Sequence, residues 1–325
     1  LSTNLFLWFQ DDYFALQYFM IALAYLSREG LRWVRDGQSV HIFNPSAFGL
    51  CVIALGLIVF EVPHLTHGTE ISITLGNPPY AYAWIFLMGV IVQLFFRVTL
   101  ITLSAGVASW LVGALYTMKT GGYMYIDTTI PIAVFLGMNL LVTDPASSPQ
   151  SNGGKILFGA LYGIAIFFMY DVLRDMGRPA VGDDPGFHIT WLDKLLFLPF
   201  LNLLVRPLDV IGRQIRFPGW RLTPGVTNRV HVGIWIVAFL FIYPGLVEHP
   251  GKSTEFWSNR CAEQKPRACE NLASIHQGSC RGGLGEACHN LGVMFEFGEG
   301  VPVDLERAGG VYKRACELEV GSSCR

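Results

Sequence analysis

The sequence predicts an all-α chain: a polytopic membrane helix bundle of about eight spans with an internal duplication, followed by a small helical soluble tail. Three observations lead there. The chain is 52% hydrophobic and only 15% charged, whereas soluble domains carry about 25% charge. The charge deficit is confined to residues 1–247, and residues 248–325 have an ordinary soluble composition. Six cysteines crowd between Cys261 and Cys324, against one, Cys51, before them. We therefore divide the chain into a membrane domain, 1–247, and a tail, 248–325. A net charge of −2 gives no footing for a nucleic-acid partner.

The apolar runs lie at about 5–27, 42–62, 81–97, 99–118, 128–144, 155–173, 194–206 and 230–247. A helix needs about 20 such residues to cross a bilayer core. The runs are apolar on all sides, so strands with a period of two are not expected. The first carries Asp11 and Asp12 near its start and is expected to begin at an interface. The seventh is short, holds Pro199, and is expected to be tilted, broken or re-entrant.

Lys and Arg in the loops set the orientation. With 28–41 inside, the inner side collects Arg28, Arg32, Arg35, Arg97, Lys155, Arg206, Arg213, Arg216, Arg221 and Arg229. The outer side holds only Lys119, Arg174, Arg178 and Lys194. Eight spans then place both the N-terminal end and the tail outside. The basic, amphipathic segment 206–229 is expected along the inner lipid surface.

The tail cysteines give an independent reading. Cys261 and Cys269, Cys280 and Cys288, and Cys316 and Cys324 are each eight apart. Eight residues cover a helix end, a short turn and the next helix start, which brings two cysteines within disulfide reach. Disulfides persist in oxidising compartments, so the tail is expected in the periplasm of a bacterial inner-membrane protein. A zinc site is the rival, with His276 and His289 nearby, but the spacings are not those of zinc ligands. Cys51 reads as a small packing residue. Within the tail, Leu291, Met294 and Phe295 give one helix an apolar stripe; Gly298, Gly300 and Pro302 end it, and Asp304 can cap the next.

In the membrane domain, "HIFNPSAFGL" (41–50) and "LLVTDPASSPQSNGGKILFGALYG" (140–163) stand out. Each sets Pro behind a short polar residue at the edge of a span. Asn or Asp before Pro suits a helix start, whose N–H donors and partial positive charge suit an anion or cofactor. Asn77–Pro78 and Asp184–Pro185 echo Asn44–Pro45 and Asp144–Pro145. This order suggests a parallel duplication, with binding where the repeats meet. The candidate cofactor-binding residues are Asn44, Pro45, Asn77, Thr143, Asp144, Ser148, Pro149 and Asp184.

These two motifs, "HIFNPSAFG" and "TDPASSPQSNGGKILFGALYG", resemble the family of RnfD and NqrB, membrane subunits of the Rnf complex and of the sodium-pumping NADH:quinone reductase. The resemblance spans about 25–205. It implies a multi-helix subunit that passes electrons through a bound flavin within a larger complex. The family's S-G-A-T motif for covalent FMN is absent; the corresponding region, "HGTEISITLGNPPY", offers Thr69 and Thr74 in another context. A non-covalent flavin, a quinone, or loss of the redox role is therefore the expectation. The chain has no NAD fingerprint or iron–sulfur cysteines of its own, so other membrane and periplasmic subunits are the expected partners, together with lipid. The tail "LGVMFEFGEGVPVDLERAGGVYKRAC" resembles Sel1-like repeats in their cysteine-rich form, which stack helix pairs into an α-solenoid. That implies a docking role for about 261–324.

Two other functions compete: a small-solute or ion transporter or channel, and a membrane anchor or scaffold for the tail. Lesser site readings are a haem pair among His41, His64, His67, His188 and His231, and a metal held by Glu61, His64, His67 and Glu70. Asp171 and Glu61 are candidate intramembrane ionisable groups.

Overall fold

The computed structural model describes residues 2–35, 37–76, 78–177, 188–215, 224–243 and 245–324. The chain divides into two compact units, Leu1–Val112 with Ile130–Val247, and Gly113–Thr129 with Glu248–Arg325. The sequence suggested one cut, at 247/248; it gave no hint that 113–129 goes with the tail.

The first unit is built from helices: α1 (Ala15–Gly30), α2 (Pro45–Val59), α3 (Gly68–Thr74), α4 (Tyr80–Phe96), α5 (Thr99–Thr120, counted with this unit as far as Val112), α6 (Ile132–Leu140), α7 (Asn152–Met176), α8 (Asp193–Leu196), α9 (Leu198–Leu203), α10 (Val205–Gln214) and α11 (Pro224–Ile242). Among the described residues three are long and apolar enough to cross a membrane: α5, α7 and residues Gly225–Ile242 of α11. Val107, Trp110 and Leu111 of α5 and Ile234, Val237 and Phe241 of α11 are exposed, as a lipid-facing surface requires.

The other runs make shorter helices than the sequence suggested. At 1.5 Å per residue, α2 and α4, 15 and 17 residues long, reach only about 22–26 Å. The run 128–144 contains the nine-residue α6, because Pro131 starts the helix late and turns begin at Leu141. The first run becomes helical only at Ala15, after a 3-10 turn at Asp11–Tyr13. The seventh run is broken: Thr190–Leu203 and Val205–Gln214 meet at 68°. Strongly amphipathic α10 buries Val205, Leu208 and Asp209 and exposes Val210 and Ile211.

One element departs from the all-helical expectation. Strands β1 (Arg32–Arg35) and β2 (Gln38–His41) form an antiparallel hairpin, pairing Arg32 with His41 and Arg35 with Gln38. Gly37 takes φ +78°, a conformation that glycine adopts freely. The Asp36–Gly37 dipeptide is the usual signal for such a turn.

Helix α7 packs on α5 through small residues. A Cβ at Gly159 would run into Ile101 O and Ser104 Oγ, and one at Gly163 into Ala105 O. Close backbone approach of this kind drives helix association where there is no hydrophobic effect between helices.

The second unit contains α12 (Thr254–Ala262), α13 (Ala268–Arg281), α14 (Gly285–Phe297) and α15 (Leu305–Glu317), each packed on the next. Leu291, Met294 and Phe295 are buried together with Ala273 and Ala308. Gly298, at φ +75°, ends α14, and Asp304 caps α15 by accepting from Arg307 N at 2.9 Å. All three expected disulfides form: Cys261–Cys269, Cys280–Cys288 and Cys316–Cys324, with Cα–Cα separations of 4.7, 4.6 and 4.9 Å. The first two each tie a helix end to the next helix start. Tyr123 joins this unit by edge-on and tilted ring contacts with His249, Phe256 and the fully buried Trp257.

Candidate functional site

At one end of the first unit, α1 and α6 finish, α2 begins and the hairpin folds over. These elements enclose an open cleft of about 510 Å³. Asn44, Pro45, Thr143 and Asp144 all line it, joined by His41 and Pro145. Ile21, Tyr25, Val92, Phe96 and Leu140 supply an apolar wall, and Arg28 a cation.

The two polar–proline segments meet directly. Asn44 Nδ2 donates to Leu141 O at 2.9 Å, while its Oδ1 accepts from Ala47 N and caps α2. His41 Nε2 lies 2.8 Å from Asp144 Oδ2, across 103 residues of sequence. Ser147 Oγ donates to the same oxygen at 2.6 Å, and Ala146 N donates to Asp144 Oδ1. Burial favours the neutral carboxyl, but the bonds from His41 and Ser147, with the His41 charge and the Ala146 amide, outweigh it. Asp144 is held below the usual carboxylate range.

The loop 141–151 is clamped from behind. Asp209 of α10 accepts from Gln150 N, Ser151 N and Ser151 Oγ. Arg35 of β1 donates to Asp209 Oδ2 at 3.2 Å and to Ala146 O and Ser148 O. Asn202 bridges the two motifs, accepting from Asn44 N and donating to Ser147 O. Arg206 in turn donates to Val34 O and stacks on Trp33.

Below the cleft a buried amide chain crosses four helices. Thr143 Oγ1 donates to Asn139 O, Gln93 Nε2 to Asn139 Oδ1, Asn228 Nδ2 to Gln93 O, and Thr99 Oγ1 to Asn228 Oδ1. Asn139 fits because its neighbour on α4 is Gly89, where a Cβ would collide with it.

This geometry changes the expected role of the motifs. Asn44–Pro45 does start a helix, with Pro45 at its first position. Asp144–Pro145 does not: α7 starts at Asn152, capped by Ser151. The two halves are thus unlike at this point, which removes the local basis for a duplication. Of the N–H donors at these starts, those of Asn44, Ala47, Ser151 and Gly154 are taken, by Asn202, Asn44, Asp209 and Ser151. What faces the cleft is side-chain chemistry. Ser148 and Pro149 lie in the clamped loop and not among the cleft residues; the Ser148 hydroxyl is buried without a partner. Asn77 and Asp184 lie outside the described residues.

Sequence reasoning missed Arg35, Asn202 and Asp209. Asp209 had a faint signal, being the lone acid in the basic stretch 206–229. Cys51 is a buried packing residue, as expected, with its thiol donating to Leu196 O. Among the described residues no group of three or more His, Cys, Asp or Glu side chains is placed to hold a metal ion, so Glu61, His64, His67 and Glu70 do not converge as a site.

No family model, curated protein or solved structure matches the chain.

Proposed function

We propose that the chain is an integral membrane subunit of a multisubunit electron-transport complex, whose cleft takes the ring of a quinone or a non-covalent flavin. The observation that carries this reading is the contact of His41 with Asp144 in a cleft that is polar at one end and apolar along its wall. Reduction of a quinone or flavin ring demands protons at ring oxygens or nitrogens. A histidine backed by a carboxylate is suited to donate one, since the carboxylate fixes the tautomer and stabilises the imidazolium. Arg28 supplies a cation for a ring oxygen, and Tyr25 and Phe96 supply aromatic faces for the ring.

The likeness of 41–50 and 140–163 to RnfD and NqrB supports the same role, with partner subunits bringing and removing electrons. The disulfides support an oxidising, periplasmic side for the tail, and its stacked helix pairs support a Sel1-like docking role. Orientation by loop charge, and further crossings by α1, α2 and α4, belong to this proposal. A membrane anchor for the tail is the second reading; the internal closure of both helix starts favours it.

The experiment is extraction and spectroscopy of the full chain purified from membranes. Flavin absorption or a co-purified quinone is expected, with at least tenfold weaker retention in His41→Ala. A cofactor-free protein, with activity of the complex unchanged in Asp144→Ala, would leave the anchor.

A further inference from the structure

Apart from the cleft, the first unit buries an ion pair that none of the above uses. Asp193 and Lys194 open α8 and are 2% and 5% exposed. Lys194 Nζ lies 3.3 Å from Asp193 Oδ1, which also accepts from Lys194 N at 2.7 Å. Among the described residues no other side chain is hydrogen-bonded to either.

A second, independent feature points at the same place. Tyr162 of α7 is fully buried and its hydroxyl has no hydrogen-bond partner. The space above Gly137 of α6 shows where that hydroxyl points: a Cβ there would meet Tyr162 Oη at 2.8 Å and Lys194 Cβ at 3.8 Å. Lys194 also lines a cavity of about 10 Å³ with Gly68, Ala133 and Trp191, about the space one water occupies. The elements packed on α8 are α2, α6, α7, α9 and the turn at Thr190–Leu192. Of these, α7 carries Tyr162 together with Lys155, Tyr170, Asp171, Arg174 and Asp175, α2 carries Cys51, and α6, α9 and the turn carry no titratable side chain.

We propose that Asp193, Lys194 and Tyr162 form a proton-binding site buried in the membrane unit. Ionisable groups in such surroundings are costly and mark proton or ion paths. In the resting state the carboxylate balances the ammonium and can accept the Tyr162 O–H. On uptake, one proton converts the Asp193 carboxylate to the acid, and Lys194 remains an ammonium. On release the pair is restored.

Infrared difference spectra test this on the full chain in lipid nanodiscs, as pH is stepped across the neutral range, where ordinary carboxylates stay ionised. The expected result is a titrating carboxylic-acid C=O band that shifts in D2O, vanishes in Asp193→Asn, moves in Tyr162→Phe and survives in Asp144→Asn. No titrating acid band in the unmodified chain, or a band that survives in Asp193→Asn, overturns the proposal. Should Asp193→Asn fail to fold, Tyr162→Phe decides: an unmoved band overturns it.

Discussion

Arg35 and Asp209 are 174 residues apart in sequence and 3.2 Å apart in the fold. Both side chains are nearly buried, at 12% and 11% exposure. Their pairing ties the hairpin and α10 to the loop that carries Asp144, Arg35 through Ala146 O and Ser148 O and Asp209 through the Gln150 and Ser151 amides. Removing one member leaves the other as an uncompensated charge, which costs about 3 kcal/mol or more. Asp209→Ala is therefore expected to destabilise the first unit by that order and to free the Gln150 and Ser151 amides. Hydrogen exchange at those two amides checks it. Because Arg35 also holds Ala146 O and Ser148 O, Arg35→Ala and Asp209→Ala should be non-additive in a double-mutant cycle.

Asp144 gives a pH dependence of known sign. Its folded carboxyl sits below the ordinary value of about 4. Such a group contributes stability that is fully present above about pH 4 and is lost as pH falls through the folded value. The charged hydrogen bonds from His41 and Ser147 are worth about 1.5–3 kcal/mol. Asp144→Ala should therefore lower the melting temperature at neutral pH, and the gap to the unmodified chain should close below about pH 4. A gap that stays constant into acid would show that the carboxylate charge contributes nothing.

The α5–α7 contact yields a steric prediction with its own control. Gly159→Ala puts a methyl group against the α5 backbone at Ile101, and overpacking of this kind costs roughly 1–3 kcal/mol. Gly113, also within α5, has open space where a Cβ would go. Gly113→Ala is expected to be neutral, or to stabilise by about 0.5–1 kcal/mol through helix propensity. Thermal unfolding of the two variants in the same detergent separates packing from propensity.

The elements legible in the sequence were those specified locally. The runs that became α5 and α7 are long and apolar throughout, so their period and length suffice. The C-x7-C spacing fixed its own geometry, and Asp304 capped the helix that its position suggested. Where hydropathy misled, a backbone feature was decisive: Pro131 and the turns from Leu141 cut a 17-residue run down to the nine residues of α6. The hairpin was readable from Asp36–Gly37 but was masked by the surrounding membrane pattern. The cleft was half legible. Asn44 and Asp144 carry a local signal in their prolines, whereas Arg35, Asn202 and Asp209 act only through partners more than 50 residues away.

The three disulfides differ in exposure, and that difference orders their chemistry. Cys280 and Cys288 are 4% and 0% exposed, while Cys324 is exposed. Thiol–disulfide exchange requires access to a sulfur. Graded reduction followed by alkylation and mass spectrometry should open Cys316–Cys324 first and Cys280–Cys288 last. Each bond closes a loop of about eight residues, for which the chain-entropy treatment gives about 2–3 kcal/mol. Cys280→Ser with Cys288→Ser should cost more than that, because the pair also sits in the small core with Ala287 and Ala315 and the hydroxyls would be buried there. Cys316→Ser with Cys324→Ser should cost about the loop term alone. Equal losses from the two double variants would mean that burial of the central bond adds nothing beyond loop closure.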